Sequence, residues 1–172
     1  MKAESLSLIQ KLDLIAHPEG GYYRETYRAP LQVHSASHGG LRAAFTSIHF
    51  LLAAGQYSAW HRVASDESWF FHEGGDVAIY SLLAPTSKGD AMVRTQTLGA
   101  GSGCFELTIT AGTWFAARPV APDAHVLVSC VVAPGFEFED FELATRDQLI
   151  AAGYQTSADW SMIESLLVRR GP

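Results

Sequence analysis

The sequence predicts an all-β fold, a sandwich or barrel of short strands, with helices confined to the two ends of the chain. Two observations predict it. From Gly21 to Leu143 the chain is a succession of segments, each five to eight residues long and rich in aromatic and β-branched residues. Clusters of Gly, Pro, Asp and Ser separate these segments at intervals too short for strand–helix–strand units. Helical periodicity is restricted to the residues before His17 and after Leu143.

Taken in order, Ala3 to Leu14 carries Leu6, Ile9, Leu12 and Leu14 as an apolar stripe, and His17-Pro18-Glu19-Gly20-Gly21 stops that helix. Strands are expected over Tyr22–Tyr27, Thr46–Leu52, Ser58–Val63, Glu67–Phe71 and Val77–Leu83. Further strands are expected over Met92–Leu98, Phe105–Thr110, Thr113–Ala117, Val126–Val132 and Phe136–Leu143. Breaks fall at Ala54-Gly55, Gly74-Gly75-Asp76, Ser87-Lys88-Gly89-Asp90 and Gly99 to Gly103. Phe136 to Leu143 alternates with a bulge at Glu139-Asp140, its four acids forming a solvated face. Nothing beside that run resembles a calcium loop. Thr145 then caps a helix over Arg146–Ala152 closed by Gly153, and Ser157 caps a last helix through Val168. That helix shows Trp160, Ile163, Leu166 and Leu167 on one side, with Arg169 and Arg170 suited to its C-terminus. One domain spans 1–172: a helical start over 1–16, a β-barrel over 20–143 and a helical tail over 145–170.

A chain of 172 residues buries a core without disulfides or metal. Charged residues make up 17% of it, against about 25% in a typical soluble domain. Lysine occurs only at Lys2, Lys11 and Lys88. A net charge of −6 argues against nucleic acid as partner, because phosphate backbones require clustered Lys and Arg. No apolar run approaches the length of a membrane span, and no signal peptide is readable at Met1 to Gln10. A cytoplasmic location is expected. Cys104 and Cys130 lack metal-ligand spacing and read as free thiols, Cys130 within the apolar run Val126 to Val132. An apolar content of 48% with so little charge implies a surface that is either unusually bare or partly buried in a partner.

The chemistry concentrates between Gly55 and Gly74. Strand alternation puts Ala59, His61 and Val63 on one face, and Glu67, Trp69 and Phe71 on one face of the next strand. If the two strands pair, His61 and Glu67 meet in an aromatic-walled cavity. Imidazole titrates near neutrality, and a carboxylate beside it orients the ring, so His61 is the candidate base and Glu67 its partner or an acid. Apolar neighbours such as Trp69, Phe71 and Phe115 would hold Glu67 neutral. The bland alternative is a hydrogen-bonded core histidine whose carboxyl partner merely satisfies it. The competing chemistry is a divalent metal on His61 and Glu67 with His49 as third ligand, though no motif demands His49. Tyr23, Arg24 and Glu25, in the polar-aromatic segment Tyr22 to Tyr27, are candidates for gripping a sugar ring or an anionic group; edge-strand packing is the alternative. His17 and His72 adjoin turns and read as structural or solvated. His34, Ser35 and Ser37 fall in a loop with Gly39-Gly40 and receive no role. No nucleophile elbow, phosphate loop or dinucleotide fingerprint occurs.

Gly55, His61, Glu67 and Gly74 resemble the first motif of the cupin superfamily, in which a second histidine stands where this chain has Val63. The second motif resembles Thr110 to Phe115, with Phe115 at the ligand position. Two of the four usual metal-ligand positions are therefore apolar, so the resemblance implies a cupin with no metal cofactor. A longer resemblance rests on three stretches: His17 to Arg28, Ser58 to Glu67 and Pro134 to Leu143. These look like the signatures of one largely uncharacterised group of cupin-like proteins. Members often carry Trp-His where this chain has Trp69-Phe70, and the tail from Gln155 lies outside the pattern. The resemblance implies a double-stranded β-helix, a small jelly-roll barrel, as a homodimer. A shorter likeness links Glu19 to Glu25 and Trp60-His61 to the metal-independent sugar-nucleotide 3,5-epimerases, whose histidine is the base. Together these imply a small polar molecule, a sugar or sugar nucleotide, bound in the barrel. His61 and Glu67 would then be catalytic, and Tyr23, Arg24, Glu25, Trp69, Phe71 and Phe115 would contact the ligand. The alternatives are a binding or sensing module without catalysis, and a divergent metal-dependent enzyme.

Overall fold

A computed structural model describes residues 2–35, 39–83 and 92–168. Within them, helix α1 (Ala3–Leu12) precedes strands β1 (Ile15–Ala16), β2 (Tyr22–Arg28), β3 (Gln32–Ser35), β4 (Gly40–Ala43), β5 (Thr46–Leu52) and β6 (Ser58–Val63). Strands β7 (Asp66–Gly74), β8 (Val77–Leu83), β9 (Met92–Leu98), β10 (Glu106–Ile109), β11 (Phe115–Pro119), β12 (Val126–Ala133) and β13 (Phe141–Leu143) follow. The chain ends in helices α2 (Arg146–Ala151) and α3 (Trp160–Ser165). The loop cluster expected at Ser87 to Asp90, Ser37, and the arginines at 169 and 170 lie outside the described residues.

The strands form two facing antiparallel sheets, in the orders β1-β2-β5-β12-β7-β10 and β13-β6-β11-β8-β9. This is the jelly-roll barrel that the sequence implies. The core between the sheets is built from alternate residues such as Phe50, Trp69, Ile79, Phe115 and Val128, as a pleat with one inward face requires. Each outer face is then covered separately. Helix α1 lays Leu8, Ile9 and Leu12 over Leu51 and Leu127 of the larger sheet. The C-terminal segment lays Leu149, Tyr154, Ile163 and Leu166 over Trp60, Ala78, Tyr80 and Ala116 of the smaller one.

Several local expectations are corrected. Strand β6 does not pair with β7: β6 lies between β13 and β11, whereas β7 lies between β12 and β10. His34 and Ser35 belong to a two-stranded hairpin of β3 and β4 rather than to a loop. Phe138–Asp140 forms a 3-10 turn, not a bulged strand. The acids of that stretch are paired rather than merely solvated. Glu137 meets Arg28 at 2.6 Å, Glu139 and Asp140 meet Arg42, and Glu142 meets Arg62 at 2.6 Å. The last helix is shorter than expected, spanning Trp160–Ser165, and is preceded by a turn in which the Ser157 hydroxyl accepts the Asp159 N–H at 3.2 Å. The apolar face from Trp160 to Leu167 packs on its own barrel, where the Trp60 indole donates to the Ile163 carbonyl at 2.8 Å. Thr145 caps α2 in a reciprocal box with Gln148, as its position suggests.

Candidate functional site

Between the two sheets, on the side of β2, β5 and β6, lies a cavity of about 140 Å³. His61 enters it from β6 and Glu67 from β7, so the two residues singled out by spacing do share one cavity. They reach it from opposite sheets, and the carboxyl nearest the His61 ring is that of Glu19. Glu19 Oε2 lies 3.4 Å from His61 Nε2 and 3.4 Å from His17 Nδ1.

The segment before β2 explains how Glu19 gets there. Gly20 and Gly21 adopt φ of 110° and 72°, in the region that favours glycine. A β-carbon on Gly20 would collide with the Tyr57 carbonyl oxygen. The chain can therefore press against the start of β6, where the Ala59 N–H donates to the Glu19 carbonyl at 2.8 Å. That contact sends the Glu19 side chain inward, and the Ser58 hydroxyl donates to its Oε1 at 2.9 Å. Sequence reasoning passed over Glu19 and His17 as parts of a helix-stopping turn. Both side chains are only 7% exposed and both line the cavity. The signal was present in the signature His17 to Arg28, where Gly20-Gly21 follows an acid directly.

The hydrogen bonds fix the tautomers. His61 Nδ1 lies 2.8 Å from the Ala59 carbonyl, which only accepts, so Nδ1 carries the proton and Nε2 presents a lone pair toward Glu19. The Glu19 backbone N–H donates to His17 Nδ1 at 3.4 Å, so that nitrogen is also a lone pair. A proton on Glu19 thus faces two acceptors. Burial pushes Glu19 well above the usual carboxylate range, with the charge of Glu67 adding to the rise and the Ser58 hydroxyl opposing it. Burial lowers His61 to about 3 and His17 to about 4. Glu67 is raised by burial to about 7, although the Cys130 thiol and the Trp69 N–H, at 2.9 Å, hydrogen-bond to it. Near neutral pH the site therefore holds two neutral imidazoles, a Glu19 whose burial favours its protonated form, and a Glu67 poised between its two forms.

The other expected ligand contacts divide. Tyr23 and Glu25 line the cavity, and Tyr23 packs edge-on against the His17 ring at 4.6 Å. Arg24, between them, points to the outer face of the sheet beside His49, because successive residues of a strand alternate. Trp69 and Phe115 are core residues behind the cavity wall, the Phe115 ring 4.0 Å from that of His61, and Phe71 packs near Phe105; none of the three lines the cavity. The aromatic wall comes instead from Phe136, Phe138 and Phe141, which the 3-10 turn brings over the opening. Arg28 stands at that opening, held by Glu25 at 2.8 Å and Glu137 at 2.6 Å.

The four positions where cupins carry metal ligands are occupied here by His61, Val63, Glu67 and Phe115. His49, the expected third donor, packs on the outer face of the sheet with its ring 6.0 Å from that of His72. Among the described residues no three His, Cys, Asp or Glu side chains are grouped to hold a metal ion. The donor set does not fit the divalent metal that the fold family usually carries.

Comparison with known proteins agrees with the architecture. A hypothetical protein from Leishmania major is 30% identical, with 98% of this chain and 100% of that one covered and a TM-score of 0.82. A protein from Shewanella oneidensis is 31% identical over 99% of both chains, with a TM-score of 0.78. The L-ribose isomerase of Cellulomonas parahominis shares the fold at 13% identity, over 76% of this chain and 80% of its own, with a TM-score of 0.54. No curated protein matches the chain. The profile of the family described as cupin superfamily (DUF985) matches residues 6–144. Two facing antiparallel sheets around a His61/Glu67 cavity, together with that match over most of its length, make this chain a member of the cupin superfamily.

Proposed function

We propose that the protein binds a small polar molecule in the barrel cavity and moves a proton to or from it without a metal, as an isomerase or epimerase does. The observation that carries this reading is the placement of Glu19 within 3.4 Å of the lone pairs of His17 and His61, in the same cavity as Glu67. Glu67, at about 7, is matched to proton exchange near neutrality from one side. Glu19, whose burial favours the protonated form and whose carboxyl faces two imidazoles, is placed to supply a proton from the other. Proton transfer needs only such positioned groups. The 3.4 Å separations exceed an ideal hydrogen bond, as is common before a ligand draws the groups together.

A cavity of about 140 Å³ compares with the roughly 150 Å³ space that holds a benzene molecule. That bounds the enclosed part of the ligand at about six to eight non-hydrogen atoms, so a sugar ring would reach partly into the opening. The nucleotide half of a sugar nucleotide would have to lie outside the opening at Phe138.

The test is deuterium exchange. Small sugars, hydroxy ketones and amino compounds are incubated with the protein in deuterated water, and incorporation at carbon is read by mass spectrometry. Incorporation that Glu67→Gln and His61→Gln abolish supports the reading. Ligand binding with no incorporation by any member of the panel overturns catalysis and leaves the binding module. The low basicity of His61, at about 3, is the specific observation that favours this second reading.

A further inference from the structure

The cavity's own groups bear on the charge of its ligand. Among the residues lining it are four carboxyls, Glu19, Glu25, Glu67 and Glu137, against the single cation Arg28. Arg28 is not free to receive an anion, because Glu25 holds its Nε and one Nη at 3.1 and 2.8 Å and Glu137 takes the other Nη at 2.6 Å. The two histidines of the lining present lone pairs on the side of Glu19 and carry no charge to an anion. An anionic ligand would thus be buried beside two carboxyls with no unpaired positive group to meet it. A positively charged group meets the reverse: the carboxyls of Glu67 and Glu19, and three phenylalanines, Phe136, Phe138 and Phe141, of the kind that attract cations through their π systems.

We infer that the ligand of this cavity is a small organic cation, an amine of up to about eight non-hydrogen atoms whose ammonium group sits against Glu67 and Glu19. This deepens the proposed function and rests on its reading of the cavity as the binding site. The proton balance follows. An arriving ammonium favours the ionised form of Glu67, so Glu67 releases its proton to solvent as the complex forms. Affinity therefore rises with pH across neutrality. The groups facing Glu67 do not reverse this sign. His17 and His61 are neutral near pH 7, burial favours the neutral forms of Glu19 and Cys130, and Arg28 is ion-paired at the opening with Glu25 and Glu137.

The experiment is calorimetry with three matched series, each an amine, its alcohol and its carboxylate: benzylamine, benzyl alcohol and benzoate; butylamine, butanol and butyrate; ethanolamine, ethylene glycol and glycolate. The expected result is that at least one amine binds tenfold or more tightly than its alcohol while its carboxylate does not bind. Its affinity should rise at least threefold from pH 6 to pH 8, with proton release visible in buffers of different ionisation heat. Glu67→Gln, or Glu19→Gln should the first variant fail to fold, should bring the amine down to the alcohol. Binding of a carboxylate or an alcohol as tight as that of its amine, or binding of none of the three amines, overturns the inference. The deuterium test fails separately: exchange in a neutral sugar would keep the proposed function while removing the cation, and amine binding without exchange would do the opposite.

Discussion

Replacing Glu67 with glutamine is expected to stabilise the protein by an amount that grows with pH. Burial holds the folded carboxyl at about 7, whereas the ordinary value is 4.5. Below pH 4.5 both folded and unfolded chains keep this proton, and the residue carries no ionisation cost. Between pH 4.5 and 7 the unfolded chain releases the proton and the folded one retains it, so stability falls as pH rises. Above 7 the loss is complete. At about 1.4 kcal/mol per pH unit, the interval corresponds to about 3 kcal/mol. Glutamine keeps an oxygen for the Trp69 N–H, 2.9 Å from Glu67 Oε1, and has no proton to lose. The contributions of Glu19, His17 and His61 are present in both proteins and cancel to first order in the difference. Urea unfolding of both proteins from pH 4.5 to 8, followed by tryptophan fluorescence, should show the variant's advantage growing by about 3 kcal/mol and levelling off above pH 7. A difference that is independent of pH, or that grows toward acid, refutes the reasoning.

Four further outcomes are expected. His61 is depressed to about 3 by burial, so its contribution is complete above pH 6.5 and is lost as pH falls, the loss reaching about 3 kcal/mol by pH 4.5. The acid side of the stability profile of His61→Gln should be shallower by about one proton in unfolding titrations. Gly20→Ala forces a β-carbon into the Tyr57 carbonyl at φ 110° and should cost more than about 2 kcal/mol in denaturant unfolding; a neutral result would mean that Glu19 is not placed by that close approach. Ile163→Ala, at a fully buried position of the tail, should cost about 2–5 kcal/mol and open the chain after Leu143 to protease; unchanged resistance would show that the tail does not depend on that contact. We propose that Tyr27, Leu31, Leu41 and Phe45, exposed side chains around the β3–β4 hairpin, lie in the interface of a homodimer. Light scattering at micromolar concentration should give twice the chain mass, and a single-chain mass would remove that interface.

The strands Thr46–Leu52, Ser58–Val63, Val77–Leu83 and Met92–Leu98 are readable to the residue, because each is a run enriched in aromatic or β-branched residues with turn-forming Gly, Asp, Ser or Pro close by. The β3–β4 hairpin was not readable, since Val33 and Leu41 carry too little apolar pattern to separate strand from loop. Phe136 to Leu143 alternates like a strand, and only contacts distant in sequence, with Arg28 and Arg42, favour the turn that draws its phenylalanines over the cavity. The site was legible in part for the same reason. Motif spacing places His61 and Glu67 in one barrel, but which carboxyl neighbours the imidazole depends on how a turn before β2 lies against β6. Local periodicity carries no record of that packing. Alternation likewise separates Arg24 from Tyr23 and Glu25 without saying which face turns inward.

The stitching of the tail to β6 bears on where the chain can be cut. The family match ends at residue 144. Yet the Trp60 N–H donates to the Leu166 carbonyl at 3.1 Å, and its indole to Ile163, one residue before His61. A truncation chosen from the family boundary would strip the back of the strand that carries the imidazole and uncover Trp60, Tyr80 and Ala116 together. The boundary of the family and the boundary of the folding unit are therefore different lines, and any shortened version or C-terminal fusion of this protein should respect the second.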